Sequence, residues 1–158
     1  MTKRIDPATA PVFTGTTYPP PYDEPCRARQ RTRLGDAAGL TQFGVNLLRL
    51  PPGVWSAQRH WHVGEDEFIY VVSGEVVLVT DSGDEVLSPG DCAGFKAGDE
   101  NGHCLQNRSN ADATVLEIGT RIAGGDTAYY PECDMVARNR GYTSRDGVPY
   151  PKQERRGT

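Results

Sequence analysis

Short runs of β-branched and aromatic residues, separated by turn residues, constrain the fold of this chain most. The runs Phe68 to Val72 and Val76 to Thr80 flank a turn that contains a glycine, and together they predict a β-hairpin. Two further strands are predicted over His103 to Asn107 and Thr114 to Ile118, on either side of the polar turn from Arg108 to Asp112. Strands at such regular spacing indicate an all-β fold, a single antiparallel β-barrel or jelly roll.

The segments on either side of these strands predict where the barrel begins and ends. Alternating apolar residues favour a strand from Leu40 to Leu50, although a helix from Asp36 to Leu48 remains an alternative. Residues 1–28 contain three consecutive prolines and are expected to form an extended N-terminal arm. We therefore predict a barrel over residues 29–122 and an irregular C-terminal extension over residues 123–158, with mobile last residues.

Composition and charge narrow the possible partners. The 158 residues suffice for one domain, and the formal net charge of −4 with 17 scattered lysines and arginines favours a small molecule over a nucleic acid as partner. No apolar run reaches the roughly 20 residues of a membrane span, and no signal-peptide pattern is present, so we expect a cytoplasmic protein that does not bind membranes. The four cysteines show no CxxC spacing and are expected to be reduced.

The histidines form the strongest chemical pattern. Two of the three histidines, His60 and His62, are separated by one residue, which places both imidazoles on the same face of a strand. The acidic cluster that follows offers a carboxylate as a further ligand. An unbroken strand would select Asp66, whereas a break at Gly64 would select Glu67, which we favour. His103 opens a strand about forty residues later, and a barrel would bring it across to this cluster.

These residues resemble the first motif of the cupin family, G-x5-H-x-H-x(3,4)-E-x6-G. The match runs from Gly53 through His60, His62 and Glu67 to Gly74, with six residues instead of five before His60. The resemblance is closest to small bacterial single-barrel cupins that bind metals, many of them uncharacterised and some described as sugar-phosphate isomerases. It covers about residues 40 to 120.

The second cupin motif, G-x5-P-x-G-x2-H-x3-N, is matched with two departures. It runs from Gly90 through Gly98 and His103 to Asn107, but Lys96 replaces the proline and four residues instead of two precede His103. The resemblance implies one divalent metal ion, Mn, Fe, Ni or Zn, and assigns its ligands to the following residues: His60, His62, Glu67 and His103. It gives Asn107 a supporting or structural role.

Such a site is compatible with more than one function. As an enzyme, the chain would use the ion as a Lewis acid on a small polar substrate, sugar-phosphate-like or carboxylate-bearing, in isomerase, epimerase, lyase or dioxygenase chemistry. Lys96 and Tyr70 are candidate substrate contacts, and the candidate bases are Glu67, Asp99, Glu100 and Tyr70. The alternatives are a non-catalytic binding or sensing cupin and a metal-free structural barrel.

A homodimer is the expected assembly. The open sheet edges of a small barrel and the extended N-terminal arm favour exchange of a strand or of the arm between two copies. A monomeric mass in solution would contradict this prediction.

Overall fold

Short antiparallel strands are the main regular structure in the computed structural model, which describes residues 3–139, 141–154 and 156–157. In chain order the strands are β1 (Val12–Thr14), β2 (Gln30–Arg33), β3 (Phe43–Leu50), β4 (Trp61–His62), β5 (Glu67–Ser73), β6 (Val76–Thr80), β7 (Gly83–Leu87), β8 (Cys92–Phe95), β9 (Cys104–Gln106), β10 (Ala113–Thr120), β11 (Thr127–Tyr129), β12 (Val136–Arg138), β13 (Gly141–Thr143) and β14 (Arg156–Gly157). Within these ranges, helical structure is limited to α1 (Leu34–Ala37) and two 3-10 turns, Pro7–Thr9 and Glu24–Cys26. The predicted all-β jelly roll is confirmed.

Three antiparallel sheets build the molecule. The largest has the order β14-β1-β2-β3-β10-β5-β8, a second has the order β7-β6-β9, and a third has the order β13-β12-β11-β4. The main core packs between the first two sheets, since its buried residues come from β3, β5 and β10 on one side and from β6, β7 and β9 on the other. A second apolar cluster lies around β11 and includes Tyr18, Tyr130 and Met135.

The predicted hairpin over residues 68–80 is wrong. Both strands exist, but β5 pairs with β8 and β10, whereas β6 pairs with β7 and β9. The chain passes from one sheet to the other at Gly74, which has a φ of +75°. Gly74 packs so closely against the backbone at Asp112 that an added Cβ atom would lie 2.4 Å from the carbonyl oxygen of Asp112. A turn that contains glycine therefore joins the two sheets here instead of closing a hairpin.

The two ends of the chain contain more strand than expected. Within the predicted N-terminal arm, β1 pairs with β2, so that part of the arm extends the largest sheet of its own chain. The C-terminal extension, expected to be irregular, contains β11, β12 and β13. The predicted mobility of the last residues falls partly outside the described residues, because residues 155 and 158 are not among them. Between these two positions, β14 pairs with β1.

Candidate metal centre

Backbone pairing brings the three histidines together. His60 and His103 form an isolated antiparallel bridge, with N–H···O distances of 3.1 Å and 2.8 Å between their backbones. His62 follows on β4, which pairs with β11. Because His60 and His62 are two residues apart in extended chain, their side chains point to the same side, as the sequence predicts. The ring centroids of His60 lie 5.0 Å from His62 and 4.7 Å from His103.

Glu67 completes this cluster at the start of β5. Its Oε2 atom lies 2.8 Å from Nε2 of His103 and 3.5 Å from Nε2 of both His60 and His62. The competing carboxylate of Asp66 turns away, since its Oδ1 atom accepts a hydrogen bond from the backbone N–H of Ala97 at 2.7 Å. The structure thus brings together the four residues that the sequence singled out as ligands.

Contacts of their Nδ1 atoms orient the imidazoles of His60 and His62. Nδ1 of His60 lies 2.8 Å from the carbonyl oxygen of Gln58, and Nδ1 of His62 lies 3.0 Å from Oδ2 of Asp126. Both partners are oxygens that accept hydrogen bonds, so the tautomer that satisfies each contact has the hydrogen on Nδ1, and Nε2 then presents its lone pair to the cluster. His103 is instead fixed by the ring of Phe95, stacked at 3.5 Å, and its Nδ1 atom is buried without a hydrogen bond from the described residues.

The donor atoms of His60, His62 and Glu67 lie within 4.8 Å of one another, a spacing that suits a divalent metal ion. Nε2 of His103 joins this group through its contact with Glu67 Oε2. The Glu67 Oε2 atom is buried without a well-aligned hydrogen bond from the described residues, although it is surrounded by three imidazole nitrogens. Burial raises the pKa of Glu67, but the contacts with His103 and His60 and the electrostatic attraction between the imidazoles and a carboxylate outweigh burial, so this pKa lies well below its usual value. Burial also lowers the pKa of His103, which favours the neutral imidazole that a metal ion requires.

The cluster lies in the wall of a cavity of about 370 Å³. The rest of the cavity wall includes four arginines, of which Arg29, Arg31 and Arg33 lie at alternate positions of one segment and Arg121 follows β10. A second cavity, of about 190 Å³, is also lined by His62, Glu67 and His103. A ligand in the larger cavity would therefore contact both the histidines and a cationic wall.

Some of the other predicted site residues line a cavity and some do not. Lys96 and Asp99 line the smaller cavity. Tyr70, a predicted substrate contact and candidate base, is 42% exposed on the face of β5 opposite to Glu67 and lines neither cavity, so the structure does not bring it to the cluster. Glu100 also lines neither cavity.

Asn107 has a structural position. It is 1% exposed, and its Nδ2 atom donates hydrogen bonds to the carbonyl oxygens of Leu50 and Ala111, both at 2.7 Å. Its Oδ1 atom accepts from Ser109. These bonds close the turn between β9 and β10 and reach none of the four cluster residues.

Two groups of site residues were missed by the sequence reasoning. Asp126 lies between β10 and β11, 64 positions from His62, and no local pattern marks it as a partner of that residue. The arginines do carry a signal, because Arg29, Arg31 and Arg33 alternate as the residues on one face of a strand do. A search for charged alternation, in addition to apolar alternation, would have found them.

The orientation of His62 by Asp126 leads to a testable expectation. Replacing Asp126 by Asn should lower the affinity for a divalent ion about tenfold or more, because the amide is a weaker acceptor for the Nδ1 hydrogen. Competition with a chelating dye would measure this change. Asp84→Asn, at an exposed position that pairs with Arg108, is the matched control. Unchanged affinity in Asp126→Asn would show that His62 does not depend on this contact.

Comparisons with known proteins agree with the fold and the cluster. A family model described as the cupin domain matches residues 46–119. A search of curated proteins gave no match. Among solved structures, a sugar phosphate isomerase from Silicibacter pomeroyi, described as a member of a cupin superfamily, is 45% identical, with 94% of this chain and 96% of that chain covered and a TM-score of 0.87.

Two more distant structures are also similar. A candidate sugar phosphate isomerase from Acidithiobacillus ferrooxidans is 28% identical, with 80% of this chain and 82% of that chain covered and a TM-score of 0.69. A predicted oxalate decarboxylase from Thermotoga maritima is 25% identical, with 60% and 81% covered and a TM-score of 0.52. The family match, the jelly-roll sheets and a relative that shares nearly the whole length all agree, and the chain belongs to the cupin superfamily.

Proposed function

We propose that this chain is a metal-dependent enzyme that acts on a small anionic substrate, either a sugar phosphate or a hydroxylated carboxylate. The convergence of three Nε2 atoms on Glu67 Oε2, in the wall of a cavity that also contains arginines, carries the proposal. Two similar structures described as sugar phosphate isomerases support this substrate class and favour an isomerase. Among the described residues no helix is long and apolar enough to cross a membrane.

The ion would be held by the four predicted ligands. Three imidazoles and one carboxylate suit Mn, Fe, Ni or Zn. When bound, such an ion supplies a Lewis acid that polarises a carbonyl or hydroxyl group of the substrate. His60, His62 and His103 would provide nitrogen donors, and Glu67 would provide the one negative charge of the set.

Glu65 is our candidate for the group that moves a proton. It lines both cavities, and one of its carboxylate oxygens lies within 4.8 Å of a ring nitrogen of His62. Its Oε1 atom accepts a hydrogen bond from the backbone N–H of Ile122 at 2.9 Å, which holds the carboxylate in place and leaves Oε2 for a substrate proton. This position meets the geometric requirement of an isomerase base better than Asp99, which lines only the smaller cavity.

Two tyrosines also line the larger cavity. Tyr18 and Tyr130 line it together, with their rings 5.6 Å apart and Tyr130 stacked 5.7 Å from His60. Burial raises the pKa of both phenols, so both stay neutral at physiological pH. They exclude water from one side of His60 without adding a negative charge that would repel an anionic substrate.

Turnover distinguishes the enzyme from a binding protein. The metal-loaded protein would be incubated with sugar phosphates, keto acids and catechols, and the products followed by NMR spectroscopy. We expect conversion of a sugar phosphate or hydroxy acid, and a loss of about 100-fold or more in kcat in Glu65→Gln with unchanged metal content. Stoichiometric binding of a compound without any product would contradict the enzyme and leave a non-catalytic binding cupin.

A further inference from the structure

Arg29 is a buried cation in the cavity wall. It is 5% exposed, lines the larger cavity, and has no carboxylate within ion-pair distance among the described residues. Burying an unpaired charge is costly, and a fold normally provides a counter-ion where a charge has only a structural role. A negatively charged partner would therefore stabilise Arg29 at this position.

The neighbouring charges do not supply one. Arg31 forms a two-point ion pair with Glu117, with distances of 2.7 Å and 2.8 Å, and this occupies both oxygens of that carboxylate. Arg33 and Arg121 share the carboxylate of Asp36 at 2.7 Å and 2.6 Å. The four guanidinium groups thus have two carboxylates, Glu117 and Asp36, as ion-pair partners among the described residues. Burial and the charge of Arg31 hold the pKa of Arg29 below its usual value, although Tyr18, Cys26 and Glu117 act in the opposite direction.

The guanidinium group is held in a fixed orientation. Its Nε atom donates to the carbonyl oxygen of Gly15 at 3.0 Å, and its Nη1 atom donates to the carbonyl oxygen of Ser56. The guanidinium carbon lies 5.6 Å from the ring centroid of Tyr18. These contacts leave the Nη2 atom without a hydrogen-bond acceptor among the described residues. A preorganised group with free donors binds an oxyanion with little loss of side-chain entropy.

A second unpaired group lies in the same wall. The Oδ1 atom of Asn46 is buried and accepts no hydrogen bond from the described residues. A buried acceptor without a donor is unfavourable unless a ligand or water donates to it. A ligand hydroxyl group would do so, and the two unpaired groups together suit a molecule with both an anionic and a hydroxyl group.

We infer that Arg29 binds the oxyanion of the substrate, a phosphate monoester or a carboxylate, while the substrate's hydroxyl and carbonyl groups extend toward Asn46 and the histidines. This inference rests on the proposed function and adds the orientation of the substrate in the cavity. The chain of ring contacts from Arg29 through Tyr18 and Tyr130 to His60 separates the anionic end from the metal end of the substrate. Arg29 thereby selects anionic ligands over neutral sugars.

Anion binding tests this inference directly. Calorimetric titrations with inorganic phosphate and with acetate would be made on the wild type and on His60→Ala/His62→Ala, in which no bound ion can attract the anion. We expect one of the two anions to bind both proteins, and the affinity to fall at least about tenfold in Arg29→Met. Arg49→Met, at an exposed arginine that pairs with Asp112, is the matched control and should bind as the wild type does. The anion that binds identifies the substrate class.

The melting temperature provides an independent test of the inference. Removing an unpaired buried cation should raise the melting temperature of Arg29→Met above that of the wild type, and phosphate or acetate should no longer stabilise the variant. Arg29→Lys keeps the charge but loses the planar fork, so it should bind the anion several-fold more weakly than the wild type even if Arg29→Met does not fold. Wild-type affinity in either variant, or no binding of either anion to the wild type, would overturn the inference. Lack of turnover with intact Arg29-dependent binding would contradict only the proposed enzyme.

Discussion

Replacing His60 and His62 by alanine is expected to abolish binding of the divalent ion, from about one ion per chain to less than a tenth. The two Nε2 atoms are half of the four-residue donor set, and the remaining pair, Glu67 and His103, cannot surround an ion. Mass-spectrometric metal analysis of protein purified without an affinity tag or chelator would measure the content. Turnover of any substrate should be lost together with the ion.

The control for this experiment is Glu65→Gln. Glu65, His62 and Asp126 form a second group whose ligand atoms lie within 4.8 Å of one another. Because Asp126 already orients His62 and Glu65 already accepts from Ile122, we expect Glu65→Gln to keep its ion. Loss of the ion in Glu65→Gln, or its retention in the double alanine variant, would place the ion elsewhere.

Gly74→Ala should destabilise the fold by about 3 kcal/mol or more. At this position the chain passes from one core sheet to the other with a φ of +75°, which L-residues adopt only with strain. An added Cβ would also lie 2.4 Å from the carbonyl oxygen of Asp112 and 2.7 Å from Cα of Ala113, both backbone atoms that cannot move aside cheaply. Equilibrium unfolding in urea at fixed metal content would measure the loss.

Gly53→Ala separates the two contributions to this effect. Gly53 has a φ of +80°, but among the described residues no atom beyond Gly53 and its two chain neighbours lies within 4 Å of the position that an added Cβ would take. This variant therefore carries only the conformational strain and should lose about 1 kcal/mol. Equal losses at the two positions would mean that the close approach to the strand after Asp112 contributes nothing. A Gly74→Ala protein as stable as the wild type would contradict the described sheet crossing.

The sequence was informative where the signal is local. Period-two alternation identified the strand ending at Leu50, and one-residue spacing placed His60 and His62 on one side of the chain. The break at Gly64 favoured Glu67 over Asp66, and Glu67 is the residue whose carboxylate lies beside the histidines. Each of these features depends on the backbone geometry of a few consecutive residues, which residue type largely determines.

The sequence was uninformative where partners lie far apart. A glycine turn between two strands looks the same whether it closes a hairpin or crosses between sheets, because the pairing is decided by other strands, as at Gly74. Asp126 and Arg29 reach the site through contacts with residues 64 and 27 positions away. The C-terminal strands were missed for a similar reason, since β11 is stabilised by pairing with β4 rather than by its own propensity.

The central claim is that one divalent ion binds between three imidazoles and one carboxylate, and anomalous diffraction from crystals of the metal-loaded protein tests it most directly. We predict a single strong anomalous peak about 2.0 to 2.3 Å from Nε2 of His60, His62 and His103 and from a carboxylate oxygen of Glu67. A peak between His62, Glu65 and Asp126, or no peak at any of these residues in protein shown to contain one equivalent of metal, would contradict the claim.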